Sequence, residues 1–440
     1  MITNVRSPRS APARQTSLRE HNLALVLGEL ADRGPASRAR LAATTGLTKA
    51  TVSRLVETLT EAGLVTELGR VSEPARGDRR HAGAPVGRPG VAVGLSPEGP
   101  LGVGIEINVD YLAGCAVDLT GTVRHRELVV EDQRGSDLAA VLDRTAGVLG
   151  RVLDRAAADG RAVAGVCVAV PGLVEAPAGR EPLLRLAPNL AWRDVPVLDE
   201  LRRRLRSGAA GKGADFGRLR MTMDNEANLA ALGELWGGGH TVDGVPPRSF
   251  VHVSGEIGVG AGIVLDGRLF RGRRGFSGEI GHLPVRHDGP RCACGANGCL
   301  ERLAGQEAIL RGAGLALEPS TAIGSPAGSV AELVARAEAG DPRALAAIDG
   351  AATALGTGIA SLVNLLDLDT VILGGLYAAL APWLREPVRT EIDRRVLSSR
   401  WAAVRLLVGG LAGEAAMRGA ATSVVRRVIT DPAAWLAAGG

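Results

Sequence analysis

The spacing of apolar residues near the N-terminus predicts three helices in close succession. Their expected ranges are 18–31, 37–44 and 48–62, and in the first and third of them apolar residues return every three or four positions. Gly34-Pro35 ends the first helix, Ser37 and Thr48 are suited to cap the next two, and Gly63 stops the third. Helix, short helix, glycine-containing turn and helix form the pattern of a helix-turn-helix.

The third of these helices has one apolar and one polar face. Its inward positions are Val52, Leu55, Val56 and Leu59, and its outward positions are Lys49, Thr51, Ser53 and Arg54. Two strands, expected at 64–68 and 91–95, follow as a wing, with a stretch rich in Gly, Pro and Arg between them. The N-terminal part therefore predicts a winged helix-turn-helix, with 1–16 a disordered tail, 17–96 the winged domain and 97–440 a separate domain.

A different pattern begins after residue 100. Short apolar strands are expected at 101–107, 112–118, 123–130 and 164–170, with a helix at 136–158, and this order indicates an α/β fold. Strands at 250–254 and 261–265 followed by a turn weakly repeat the first unit. The C-terminal half is mostly helical, with strands at 370–373 and 404–408. Two copies of one unit predict two lobes with a cleft between them: a smaller lobe at about 100–225 plus the C-terminal helix, and a larger lobe at about 226–412.

Composition and charge narrow the class of protein. Hydrophobic residues make up 46% of the 440 residues and charged residues 22%, as in an ordinary globular protein. We expect no membrane-spanning segment and no signal peptide, hence a cytoplasmic protein. Residues 1–90 hold 14 Lys and Arg against 8 Asp and Glu, whereas the remainder is close to neutral. A basic N-terminal domain indicates a polyanionic partner for that domain alone.

Double-stranded DNA is the partner that this basic helix-turn-helix predicts. Lys49, Thr51, Ser53 and Arg54 are long or polar enough to reach base edges or phosphates in the major groove. Arg88, in Gly87-Arg88-Pro89, is suited to enter an A·T-rich minor groove. The alternatives are a helical hairpin used for protein contact and, for Arg88, a plain surface turn.

The cysteines indicate a metal site. Cys115 and Cys167 stand alone in apolar strands and are expected to be buried thiols, whereas Cys292, Cys294 and Cys299 follow His282 closely. Three thiolates and one imidazole suit a tetrahedral Zn²⁺, and four protein ligands make such a site structural. The alternative is three unrelated thiols in one loop.

The segment around these cysteines resembles the signature of the ROK family (repressors, open reading frames, kinases). It runs from Gly278-Glu279-Ile280-Gly281-His282 through Cys292-Ala-Cys-Gly-Ala-Asn-Gly-Cys-Leu-Glu301, and the likeness extends over nearly the whole chain. The resemblance implies an actin-like (ribonuclease H-like) ATPase-type domain, a sugar in the cleft and oligomerisation. Members with an N-terminal winged helix are sugar-catabolism repressors. We therefore expect a homodimer or homotetramer that a sugar releases from operator DNA.

The resemblance also assigns the sugar pocket. It implies that Asn225, Glu226, Glu279, His282 and Glu301 contact sugar hydroxyls, which both donate and accept hydrogen bonds. His282 would then have one ring nitrogen on zinc and the other toward the sugar. The loops at Pro171-Gly172 and Asn189 are expected nearby. The alternative for each carboxylate, taken alone, is a solvated surface charge.

Three positions depart from what the family's kinases need. An Asp-x-Gly-Gly-Thr phosphate loop is replaced by Glu106-Ile107-Asn108-Val109-Asp110, the catalytic aspartate by Glu226, and a phosphate-binding residue by Glu256. A carboxylate displaced by roughly 1 Å can cost about a hundredfold in rate. We therefore expect a binding protein without catalytic residues. The alternatives are a sugar kinase with a fused DNA-binding head and an activator that responds to a non-sugar ligand.

Overall fold

The computed structural model describes residues 15–70, 91–177, 179–207, 219–316 and 328–438. The helices, numbered in chain order, are α1 (Gln15–Arg33), α2 (Arg38–Thr45), α3 (Lys49–Glu61), α4 (Leu138–Ala158), α5 (Val197–Ser207), α6 (Glu226–Gly237), α7 (Glu301–Ala304), α8 (Gln306–Ala313), α9 (Ser329–Glu338), α10 (Pro342–Leu366), α11 (Leu376–Ala379), α12 (Ala381–Arg395), α13 (Ala415–Thr430) and α14 (Pro432–Ala437). The strands are β1 (Ala36–Ser37), β2 (Val65–Arg70), β3 (Val91–Leu95), β4 (Leu101–Ile107), β5 (Tyr111–Val117), β6 (Val123–Val130), β7 (Val163–Val170), β8 (Leu173–Glu175), β9 (Leu183–Ala187), β10 (Trp192–Val195), β11 (Met221–Asn225), β12 (Phe250–Gly255), β13 (Val259–Leu265), β14 (Arg268–Leu269), β15 (Thr370–Gly375) and β16 (Arg405–Val408).

The N-terminal elements form the expected winged helix. The side-chain oxygen of Ser37 accepts a hydrogen bond from the backbone N–H of Arg40, and that of Thr48 accepts one from Thr51, so both predicted caps begin their helices. The apolar stripe of α3 is fully or almost fully buried. The wing pairs β2 and β3 antiparallel, with β1 on the other side of β3. Helix α1 begins at Gln15, so its first two residues lie inside the segment expected to be a disordered tail.

The compact unit that contains the winged helix also includes the turn 118–122 and the chain from Val425 onward. The C-terminal helix is expected to belong with the smaller lobe, and in the structure its last part, from Val425, groups with the winged helix. The guanidinium of Arg426 lies 2.7 Å from the carboxylate of Asp32 in α1, and α14 packs against α1. Neither contact has a signature in the hydrophobic pattern.

The second compact unit is built on two five-stranded sheets with the same strand order. The first sheet runs β11-β7-β4-β5-β6 and the second runs β14-β13-β12-β15-β16. If the strands of each sheet are renumbered 1 to 5 in chain order, both sheets have the strand order 3-2-1-4-5. The weak sequence repeat therefore reflects a repeated fold, as expected for two lobes of an actin-like domain.

A small three-stranded sheet, β8-β9-β10, extends the first half and was not predicted from the sequence. A 3₁₀ turn at Pro188–Leu190 joins β9 to β10 and brings Asn189 toward the end of the first large sheet. The strands are only three to five residues long and carry mixed polar and apolar residues, so their periodicity is too weak to read.

Helix α10 is the main core element of the second half. It packs against α12 and α8, and its buried face is mostly Ala, Gly, Ile and Leu. Among the described helices, α10 is the one that is long and apolar enough to cross a membrane. We did not predict a helix of this length from the sequence. More than half of its most apolar window is buried within the protein, as is usual for a core helix.

Candidate functional site

A cavity of about 460 Å³ opens at the carboxyl ends of strands from both large sheets. Its walls include Glu106 at the end of β4, Asn225 at the end of β11 and Ser254 near the end of β12. Ligands of open α/β sheets bind outside the carboxyl ends of the strands. All five residues expected to contact a sugar, Asn225, Glu226, Glu279, His282 and Glu301, line this one cavity.

The side chain of Asn225 makes most of its possible hydrogen bonds within the protein. Its Oδ1 accepts hydrogen bonds from the N–H groups of Ala227 and Asn228, which caps α6, and its Nδ2 donates to the carbonyl of Gly172 at 2.9 Å. One amide N–H is left for a ligand. Asn225 therefore positions α6 and the Pro171-Gly172 loop as well as lining the cavity.

Glu226 is the first residue of α6, and its carboxyl faces the cavity without a protein partner. Its Oε2 is buried and makes no hydrogen bond. Burial raises the pKa of Glu226 well above its ordinary value, and the neighbouring carboxyls of Glu106, Glu256 and Glu279 raise it further. The group is therefore available to an incoming hydrogen-bond donor.

Glu106 and Asn108 lie at and just after the end of β4. Glu106 is only 2% exposed; its Oε1 accepts hydrogen bonds from Tyr111 at 2.7 Å and Asn108 at 3.3 Å, and its Oε2 has no partner. Burial raises the pKa of Glu106 to about 7, although these hydrogen bonds oppose the shift.

Glu256 faces the same region from the loop between β12 and β13. Burial raises its pKa to about 8, the charges of Glu106 and Asp110 add to the effect, and a hydrogen bond with Asn108 opposes it. We name Glu106, Glu226 and Glu256 the acidic end of the cavity. Within the described residues none of the three forms an ion pair with Lys, Arg or His.

Glu279, His282 and Glu301 form the part of the cavity next to the cysteines. Glu279 is exposed to the cavity, and partial desolvation there raises its pKa; His282 opposes this shift and Glu301 adds to it. Gly258 makes room for Glu301, since a Cβ at this glycine would collide with Glu301 Oε2. A side chain at position 258 would push that carboxylate aside.

The four expected metal ligands converge. The donor atoms of His282, Cys292, Cys294 and Cys299 all lie within 4.8 Å of one another. The Sγ atoms of Cys294 and Cys299 are 3.6 Å apart, and His282 Nδ1 is 3.7 Å from Cys292 Sγ. Zn–S bonds of about 2.3 Å in a tetrahedron place sulfurs about 3.8 Å apart. The cluster therefore has the dimensions to hold a metal ion.

Sequence reasoning overlooked two polar side chains that line the cavity. His252 on β12 is 1% exposed with both ring nitrogens unpartnered, and burial lowers its pKa to about 4, so it is neutral. A lone polar residue in the apolar run Phe250–Ser254 was the available signal. Arg193 on β10 also lines the cavity, but nothing in its local sequence distinguishes it from a surface arginine.

The residues expected to contact DNA lie together on α3. Lys49 and Arg54 are exposed, while Thr51 and Ser53 are half-buried, and Thr51 Oγ1 is 2.8 Å from the capping Thr48 Oγ1. The four side chains lie away from the buried stripe of α3, so the helix has one surface free for a partner. Arg88 lies outside the described residues.

Comparison with known proteins identifies two families in the chain. The ROK family matches residues 102–427, and the MarR family matches residues 24–81. The first match spans the second compact unit almost completely, and the second begins within α1.

Individual relatives agree with this division. The xylose repressor of Bacillus subtilis is 27% identical over 94% of this chain and 97% of its own length. The glucokinase of Thermotoga maritima is 31% identical over 71% of this chain and 97% of its own length. A solved ROK family transcriptional regulator, a homolog of the E. coli MLC protein, superposes with a TM-score of 0.72 at 25% identity over 95% of this chain and 98% of that chain. The chain therefore belongs to the ROK family and carries a MarR-type winged helix domain N-terminal to its ROK domain.

Proposed function

We propose that this chain is a transcriptional repressor of sugar uptake or catabolism genes that a sugar releases from operator DNA. The observation that carries the proposal is that one chain joins a winged helix to a cavity lined by all five polar side chains expected for a sugar. The full-length similarity to a protein named xylose repressor supports the same function. Such a repressor works in the cytoplasm, where it shares a compartment with its DNA.

The effector contacts that we propose are Asn225, Glu226, Glu279, His282 and Glu301. Asn225 and Glu226 come from the junction of β11 and α6, whereas the other three come from the segment after β14. A sugar that touches both groups binds best when the lobes close, which is a hinge motion. Moving a two-state equilibrium from 1:99 to 99:1 needs about 5.5 kcal/mol, and hydrogen bonds to charged groups supply about 1.5–3 kcal/mol each.

The DNA contacts that we propose are Lys49, Thr51, Ser53 and Arg54 in the major groove, with Arg88 in the adjacent minor groove. A homodimer or homotetramer presents its heads in two-fold pairs, so the operator should be pseudo-palindromic with half-sites about 34 Å apart or at a multiple of it. If sugar binding changes the separation of the two winged helices, they can no longer bind both half-sites at once, and the gain in affinity from double binding is lost.

We assign the metal of the His282, Cys292, Cys294 and Cys299 cluster as structural Zn²⁺. The dimensions of the cluster and its thiolate-rich donor set support this assignment, and four protein ligands leave no open position for a substrate. Bound zinc would tie His282 to the cysteine loop. Because Nδ1 faces the sulfurs, the other ring nitrogen is the one left for the effector.

We further propose that the chain is not a kinase, and we assign no catalytic residue. Phosphoryl transfer needs cationic and N–H groups around the phosphates. In this chain Asn108 and Val109 stand where the two phosphate-loop glycines are expected, and Glu256 stands where a phosphate-binding residue is expected. The relation to glucokinases makes the alternative of a sugar kinase with a DNA-binding head a real one. Measuring ATP consumption with each sugar that binds the protein would distinguish the two.

The proposal is tested by fluorescence anisotropy with labelled DNA from upstream of the chain's own gene and its neighbours. Wild-type protein should bind one fragment, and one sugar from a panel of aldopentoses and aldohexoses should release it. Glu279→Ala should bind DNA normally and require far more sugar for release. The matched control is Glu332→Ala on the exposed surface of α9, which should behave as wild type. Normal release of Glu279→Ala would contradict the pocket assignment, and failure to bind any fragment would contradict the repressor.

A further inference from the structure

The acidic end of the cavity has acceptor atoms that the protein leaves unused. Glu106 Oε2 and Glu226 Oε2 are buried and have no hydrogen-bond partner, and Glu106 as a whole is 98% buried. An unpaired buried acceptor costs free energy unless a ligand supplies a donor. Both residues line the cavity, so such a ligand would reach them.

Several N–H groups that could bind an anion at this end are already engaged in hydrogen bonds within the protein. The N–H of Val109 donates to Asn108 Oδ1 at 2.6 Å, and the N–H of Glu256 donates to the carbonyl of Gly258 at 2.9 Å. At the start of α6, Asn225 caps the N–H groups of Ala227 and Asn228. A helix N-terminus that would otherwise attract phosphate is therefore closed by its own cap and carries Glu226 in its first turn.

The described residues that line the cavity also offer little counter-charge for an anion. Arg193, on β10, is the one Lys or Arg among the described residues that line the cavity, and it is not paired with any of the three glutamates. A metal ion does not substitute for it, because the only close group of potential metal ligands in the described part of the chain is the His282 and cysteine cluster. Burying a phosphate without a cation costs far more than a few hydrogen bonds return.

We propose that the acidic end selects an effector that donates hydrogen bonds through a hydroxyl or ammonium group and rejects one that carries a phosphate there. This inference rests on the proposed function, since it assumes that a sugar-like molecule enters the cavity. The repressor then responds to a sugar before phosphoryl transfer and not to the phosphorylated product. In a reaction sequence, its effector is the substrate of a kinase and the product of uptake or glycoside hydrolysis.

The test compares free sugars with their terminal phosphate esters by isothermal titration calorimetry on the full-length protein. Suitable pairs are D-xylose with D-xylose 5-phosphate and D-glucose with D-glucose 6-phosphate, with inorganic phosphate and a non-hydrolysable ATP analogue as competitors. The measurements are made at about pH 8.5, where more of the carboxyls are ionised. For the sugar that binds, we expect its ester to bind roughly a hundredfold more weakly or worse.

Glu256→Gln is the informative variant, because it removes a carboxyl and adds amide N–H groups at nearly constant size. We expect this variant to reduce the ratio of the dissociation constant of the ester to that of the free sugar by about tenfold or more. The matched control is Glu307→Gln, which removes the same charge from the exposed side of α8 and should leave the ratio unchanged. Circular dichroism spectra of both variants check that they are folded.

The outcomes separate the two proposals. The inference is overturned if an ester binds the wild type as tightly as its free sugar. It is also overturned if the ratio of the two dissociation constants is the same in Glu256→Gln and wild type. Neither result contradicts the proposal of a sugar-responsive repressor. Displacement of the free sugar by millimolar inorganic phosphate or the ATP analogue has the same meaning. If neither free sugars nor esters bind, the proposed function fails and this inference fails with it.

Discussion

At the scale of single residues, the cysteine cluster makes the most stringent demand on side-chain chemistry. Cys294 is the exposed member of the four, so replacing it removes a ligand without opening a hole in the core. Cys294→Ser should lose the metal, and its melting temperature should fall because a structural zinc site contributes directly to folding. Elemental analysis of freshly purified, chelator-free protein should find about one zinc per chain in the wild type.

The control for this prediction is Cys167→Ala, which changes a lone buried thiol on β7. It should keep about one zinc per chain while losing some packing. Wild-type protein without zinc would reject the metal assignment, and full zinc content in Cys294→Ser would reject Cys294 as a ligand.

Which residues would meet in the cavity was predictable only where a dense motif marked them. His282 and the three cysteines lie within 18 positions, so their convergence could be read directly from the sequence. The meeting of Glu106, Glu226 and Glu256 depends on three strand ends far apart in the chain. From the sequence we could predict only that these positions differ from the motifs of the family's kinases. That the three carboxyls are buried together and repel one another depends on the folded cavity.

At the scale of elements, α3 is where the DNA-binding hypothesis can be tested directly. Arg54→Ala should weaken binding to the specific operator by about 1–3 kcal/mol, because an exposed arginine on this face can contact a base or phosphate. Anisotropy titrations with operator and with scrambled DNA would measure the loss and separate base from phosphate contacts.

Arg33→Ala is the matched control for this variant. It removes the same charge from the same compact unit, but from the exposed end of α1 next to Glu29. We expect at most a small loss, similar on both DNAs. Equal operator affinity for Arg54→Ala and wild type would mean that α3 does not contact DNA through this residue.

Elements with a strong local pattern were predicted well and those without one were not. The two capped helices of the winged helix, the wing and the meander β4 to β6 follow from helix caps, short apolar runs and turns, and the structure confirms their bounds within two residues. The short strands β8 to β10 were missed. Each is stabilised by pairing with its neighbours, such as Leu173 with Leu186, rather than by its own sequence.

At the scale of the whole molecule, the acidic end should make stability depend on pH. The pKa values of about 7 for Glu106 and about 8 for Glu256 lie above the ordinary 4.5, so between these limits the folded chain holds protons that the unfolded chain has lost. The free energy of unfolding should therefore fall as pH rises from about 5 to about 8. Thermal denaturation across this range measures the slope.

Glu256→Gln should flatten that slope, because a neutral amide has no proton to hold. Glu307→Gln, on the surface of α8, should retain the wild-type slope and serves as the control. A wild-type stability that rises from pH 5 to pH 8 would show that the buried carboxyls are not the groups that dominate.

The overall architecture was predictable because its largest patterns are repeated or sharply bounded. The helix-turn-helix and the duplicated strand pattern predicted the winged helix and the two-lobed fold, and the cysteine signature indicated the ROK family; all are confirmed. The grouping of the C-terminal segment with the winged helix was not predictable, since an ion pair such as that of Asp32 with Arg426 joins positions almost 400 residues apart.

The placement of the cavity at strand ends has a consequence for how such proteins diverge. Asn108, Glu226 and Glu256 lie just outside the strands, so changing them leaves the two 3-2-1-4-5 sheets and their cores intact. Substitutions at these positions are therefore expected to change what the cavity binds while the two sheets stay folded. Because the cavity residues and the sheets are separate in this way, the ligand preference of the protein can be engineered by changing one loop at a time.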